Sequence, residues 1–106
     1  ACYALRGQKV TFYESDPAVK RLCADTDRYF SYVADARRRG ADIEIRVGGR
    51  RANLKEDKGR KYALIVVATA DSFPFNTDIF TKDAVREYLD RLADDGIVAL
   101  HVSNKY

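Results

Sequence analysis

The chain is expected to fold as an α/β domain, a three-layer unit with a parallel sheet between helices. Three features point there. Apolar, strand-like runs recur along the chain, and YALIVVATA at 62–70 is continuous and β-branched, as strands covered on both faces are. Helical periods lie between the runs, and that alternation implies parallel strands joined by right-handed crossovers. The run 9–14 also ends on an acid, Glu14, and ligands of open α/β sheets bind beyond the carboxyl ends of the strands.

Taken in order, ACYAL at the start reads as the tail of a helix closed by Gly7. KVTFYE (9–14) is the first strand. Asp16 then suits a helix N-cap and Pro17 the first helical position. In TDRYFSYVADARRRG, Tyr29, Phe30, Val33, Ala36 and Arg37 follow a helical period, and Gly40 supplies the stop. ADIEIRV (41–47) alternates, with Ile43, Ile45 and Val47 on one side. GGRRANLKEDKGRK (48–61) is a polar connection that can hold one short helix around Ala52 to Glu56. After the apolar run at 62–70, Thr81 can cap TKDAVREYLDRLADDG, whose apolar stripe is Val85, Tyr88, Leu89 and Leu92 and whose end is Gly96. IVALHVS (97–103) closes the chain. Parallel strands are thus expected at 9–14, 42–47, 62–69 and 97–102.

All 106 residues fit one domain, and 46% hydrophobic with 33% charged residues fits a globular chain rather than a disordered one. No apolar run approaches the ~20 residues of a membrane helix, and ACYALRGQ lacks the apolar region of a signal peptide. A net charge of +3 does not by itself argue for nucleic acid. Cys2 and Cys23 are far apart in sequence and form no CxxC; free, buried thiols in a reducing compartment are expected. With His101 they cannot complete a structural zinc site, and no metal is expected. No methionine occurs, so the natural start is expected upstream.

Glu14 admits two roles. It can be the ordinary end of a strand before a helix whose cap is Asp16. It can also accept hydrogen bonds from both hydroxyls of a ribose, as an acid at such a strand end does. That acid normally follows a glycine-rich phosphate turn by roughly 20 residues, which would place the turn upstream of Ala1. The chain is therefore expected to be the middle and end of a partial Rossmann-like domain, truncated at its N-terminus.

The order of VTFYESDPAV, RYFSYVADARRRGADIEI, RVGGRR, KYALIVVATADSF and FTKDAVREYLDRLADDGIVALHVSNKY resembles the spermidine synthase-like aminopropyltransferases. It looks like their bacterial branch, where such a domain is often fused behind membrane helices. The resemblance spans nearly the whole chain, and TFYESDPAV and GIVALHVSNKY are its most specific parts. It implies a methyltransferase-type sheet, decarboxylated S-adenosylmethionine as co-substrate, a polyamine acceptor, and a cytoplasmic domain that an upstream membrane region can tether. Glu14 matches the acid that holds the ribose of the donor. The aspartate expected to contact adenine is replaced in Gly48-Gly49, and the one after the tyrosine of the fourth family strand is Ala63. In the acidic loop that follows, the first aspartate falls on Ala68 and the second, which helps bind polyamine, on Asp71. An ordinary loop or cap residue before Ser72 is the other role open to Asp71.

The resemblance therefore implies either a degenerate domain without aminopropyl transfer or the nucleoside-and-polyamine half of an active transferase. The family's first strand normally lies between its second and fourth. Without it, 9–14 and 62–69 pair directly or another chain fills the gap. An uncovered central edge is adhesive, so a homo-oligomer or a partner-dependent fold is expected. Arg37, Arg38, Arg39, Arg50 and Arg51 read as a solvated helix end and loop rather than an RNA surface. Tyr29, Phe30 and Tyr32 read as core and helix surface rather than a base-stacking platform, and His101 as a packed or rim histidine. No nucleic-acid partner is expected.

Overall fold

The computed structural model describes residues 1–68 and 77–101. Their order is β1 (Lys9–Glu14), α1 (Pro17–Cys23), α2 (Tyr32–Arg38), β2 (Asp42–Val47), α3 (Arg50–Glu56), β3 (Tyr62–Ala68), a turn of 3-10 helix (Thr77–Phe80), α4 (Lys82–Asp90) and β4 (Leu92–His101). The fold is α/β with two parallel strand pairs. The chain divides into two compact units, Ala1–Leu54 and Lys55–Tyr106. The described ladders join β1 to β2 and β3 to β4; direct pairing of 9–14 with 62–69 is not among them. No helix of the described residues is long and apolar enough to cross a membrane.

In the first unit β1 and β2 run in parallel register, with Val10 opposite Ile43, Phe12 opposite Ile45 and Glu14 opposite Val47. Side chains alternate across a strand, so these share one face. Ile43 joins Ala4, Val33, Ala36 and Ala41 in a buried cluster, against which Val10, Tyr32 and Ile45 pack. Thr11 opposite Glu44 and Tyr13 opposite Arg46 make the other face, where Arg46 Nε donates to Glu44 Oε1 at 2.8 Å. The alternation of 41–47 is realised at Ile43 and Ile45, whereas Val47 and the neighbouring Phe12 of β1 are exposed.

The helix of 17–23 starts as its sequence dictates. Asp16 Oδ1 accepts from the Ala18 amide at 2.7 Å, and Pro17 stands at the first position. The next helix begins at Tyr32, not at Tyr29. The Thr26 hydroxyl oxygen accepts from the Arg28 amide at 3.2 Å, a local bond that competes with helix, and Tyr29 and Phe30 are exposed ahead of the helix. Gly40 ends it at φ +92, a left-handed conformation that favours glycine. ACYAL is a turn rather than a helix tail. The Ala4 amide donates to Ala1 O at 3.0 Å, and Ala4 is buried in the cluster.

In the second unit β3 and β4 pair with Leu64 opposite Ile97, Ile65 opposite Val98, Val66 opposite Ala99, Val67 opposite Leu100 and Ala68 opposite His101. Thr81 caps α4 as expected, its hydroxyl oxygen accepting from the Ala84 amide at 3.1 Å. Ala84, Tyr88 and Ile79 are buried, and the Tyr88 hydroxyl donates to Ile79 O at 2.8 Å. Leu89, expected in the apolar stripe, is exposed.

The helix stops at Asp90 and the strand already begins at Leu92, well before residue 97. Long-range bonds draw this stretch towards β3. The Tyr62 amide donates to Arg91 O at 2.8 Å, and Lys61 Nζ donates to Asp90 O at 2.7 Å. Gly96 is thus no helix stop. A Cβ there would lie 2.9 Å from Tyr62 O, so glycine permits the close approach of the two strands.

Candidate functional site

The carboxyl ends of β1 and β2 lie side by side. The Gly48 amide donates to Glu14 O at 2.9 Å, which joins the exit of one strand to the turn after the other. Gly48 has φ +128, where a side chain is strained, and Gly49 follows. The chain then enters α3, where the Asn53 amide donates to Gly49 O at 2.9 Å.

Glu14 is half-buried at this end. Its Oε1 accepts from the Asp16 amide at 2.9 Å, which fixes the carboxylate beside the helix start without consuming it. Oε2 has no protein partner among the described residues. Asp16 caps α1 as the sequence expects, and Glu14 closes β1 ahead of it. Asn53 was not singled out from the sequence. Its Nδ2 is buried without a protein hydrogen-bond partner, and it lies 3.5 Å from where a Gly48 Cβ would stand. The available signal was an asparagine inside a helix, where its side chain competes with the backbone and is disfavoured.

Other expected residues fall elsewhere. Ala63 and Ala68 are exposed on β3, with Ala68 opposite His101 at the ends of the ladder. His101 is an exposed rim residue. Asp71 lies outside the described residues. Among the described residues no group of acids, histidines and cysteines could hold a metal ion. The arginines that close α2 serve local contacts: Arg37 Nη2 donates to Ile43 O at 3.0 Å, Arg39 Nη2 donates to Cys2 O at 3.0 Å, and Arg38 pairs with Asp35.

The cysteines depart from expectation. Both are free, but Cys2 is exposed and Cys23 half-buried. Cys23 beside it, then burial, then the charge of Cys2 push the Tyr32 pKa up to about 12.

No family model, curated protein or solved structure matches the chain.

Proposed function

We propose that this chain is a spermidine synthase-like domain, degenerate in its chemistry and kept as a folding, regulatory or interaction module. One observation carries the proposal. Gly49, Ala63 and Ala68 stand at the positions where the resemblance expects carboxylates, while helix caps, strands and a packed cluster persist elsewhere along the chain. Aminopropyl transfer needs a neutral amine to attack the carbon beside a sulfonium. A carboxylate takes that amine's proton and helps hold the cationic polyamine. Alanine does neither, and loss of a general base costs about 10²- to 10⁴-fold. Core burial is still required once the chemistry is gone. With the proposal go a three-layer Rossmann-like sheet, a cytoplasmic location and a homo-oligomeric or partner-bound state.

The test is an assay of the full-length protein with decarboxylated S-adenosylmethionine and putrescine. No aminopropyl transfer is expected, and robust transfer would overturn the proposal.

The Glu14 carboxylate favours a second reading, in which the nucleoside-binding end survives in an active transferase. Glu14 would then accept from the donor's ribose hydroxyls, and Asp71 would face the polyamine. Calorimetry with methylthioadenosine separates the two. Binding that a Glu14→Gln variant weakens supports the second reading; no binding, or equal binding by the variant, removes Glu14 from it.

A further inference from the structure

Asp95–Gly96 is the chain's one Asp-Gly step, and no Asn-Gly step occurs. The second unit sets it where β3 and β4 fall out of step. Tyr62 stands opposite Leu92 and Leu64 opposite Ile97, so Ala63 alone on β3 spans the four residues 93–96 of β4. Surplus residues at such a bulge lose their ladder partners, and the strand bends. Asp94 and Asp95 are exposed there, and among the described residues the Asp95 carboxylate has no hydrogen bond or ion pair. Gly96 carries no Cβ to keep that carboxyl from its amide nitrogen. Other aspartates of the second unit lack the combination: Asp57 is buried, and Asp78, Asp83, Asp90 and Asp94 each precede a residue with a side chain.

We propose that Asp95–Gly96 is a site of spontaneous isomerisation, at which the folded chain forms isoaspartate and so becomes a substrate for a carboxyl methyltransferase that recognises isoaspartate. The Gly96 amide nitrogen attacks Asp95 Cγ. A nitrogen–carbon bond forms, the bond from Cγ to its hydroxyl breaks, and the amide proton leaves with that hydroxyl as water. The product is a five-membered succinimide, which water then opens. Cleavage of the new nitrogen–Cγ bond restores aspartate. Cleavage of the original peptide bond leaves the backbone running through Cβ and Cγ, with a free α-carboxylate. One water is lost and one regained, so the mass is unchanged. The longer backbone falls where the two strands approach closely, a Cβ on Gly96 already lying 2.9 Å from Tyr62 O. The modified chain loses that approach, and the β3–β4 ladder loosens at its Leu92 end.

The site stands independently of aminopropyl chemistry, so its test does not depend on the proposed function. The folded chain is aged at neutral pH, a second sample is aged in urea, and both are digested with trypsin beside fresh protein. In the aged folded sample the peptide LADDGIVALHVSNK is expected to split into two chromatographic forms of equal mass, with electron-transfer fragmentation placing the difference at residue 95. An isoaspartate methyltransferase with labelled S-adenosylmethionine should label the new form alone. Asp95→Glu, whose longer side chain would have to close a six-membered ring, should abolish the new form. Asp94→Glu should keep it, and both variants should keep the far-ultraviolet circular dichroism of the parent. Aged protein should melt at a lower temperature than fresh protein, and Asp95→Glu should remove that fall. If the new form arises in urea but not in the folded chain, or persists in Asp95→Glu, the proposal is overturned.

Discussion

The two strand pairs show opposite relations between pattern and covering. In β1–β2 each face has its own chemistry: Val10, Ile43 and Ile45 meet the buried cluster, while Thr11, Glu44 and Arg46 make the polar side. In β3–β4 both faces are apolar, yet the covering is unequal. Val67 is buried and Ile65 and Val98 are half-buried, whereas Leu64 is 57%, Val66 62% and Ile97 64% exposed. An alternating strand states which face it buries. A continuous apolar run states only that both faces can be buried. The first pair therefore concentrates its stability on few positions, and the second leaves large side chains outside its core.

The most severe test of that contrast is Ile43→Ala. The side chain is 5% exposed within the cluster, and the truncation leaves a cavity that neighbouring strands and helix fill incompletely. A loss of about 2–5 kcal/mol is expected, read as a fall in the urea midpoint at unchanged slope. A loss below about 1 kcal/mol would mean that the cluster is not where the first unit's stability resides.

Next in size is Tyr88→Phe in the second unit, which keeps the ring and removes the hydroxyl. Ile79 is buried, so its carbonyl loses the 2.8 Å donor and no water replaces it. The expected cost is about 1–3 kcal/mol. An unchanged midpoint would show that the α4 side of this unit is open to solvent, which would widen the contrast with the first.

A third test leaves neutral pH untouched. Tyr32 titrates at 10.0 when unperturbed and is pushed up to about 12 by neighbouring Cys23, by burial and by the charge of Cys2. The folded chain therefore holds the phenol's proton more tightly than the unfolded chain does. Its contribution is fully present below pH 10 and lost as pH rises to about 12, so stability falls with pH across that window. Tyr32→Phe should flatten that slope in urea titrations at stepped pH. An unaltered slope would remove Tyr32 as the cause.

These positions also show what the chain's sequence discloses. Local devices were legible because their partners are near in sequence: Asp16 and Thr81 bond amides two and three residues on, and Gly40 ends its helix. The alternation at 41–47 named Ile43 and Ile45 as facing the cluster, although Val47, named with them, is exposed. The boundary at 90–97 was hidden, because Asp94, Asp95 and Gly96 look like a helix end and the bonds that draw the stretch into a strand come from Lys61 and Tyr62. At the candidate site, an acid closing an apolar run revealed Glu14. Asn53 lies against Gly48 because the Gly48-Gly49 turn leads directly into α3, and the polar composition of 48–61 did not show which helical side chain would fold back on that turn.

The smallest expected effect is the most informative about the second pair. Val66→Thr keeps the β-branched shape and strand preference and replaces one methyl by a hydroxyl. On a face open to water the hydroxyl remains hydrated, and the stability change should stay within about 0.5 kcal/mol. On a covered face the same hydroxyl would be buried without a partner, at a cost of about 1–3 kcal/mol. Val67→Thr, one residue along and on the buried side, supplies the internal standard for that larger cost. If Val66→Thr and Val67→Thr lower the urea midpoint equally, both faces of β3 are covered in solution and the asymmetry between the strand pairs disappears. If Val67→Thr alone is costly, β3–β4 is a sheet with one buried face despite a sequence that would allow two.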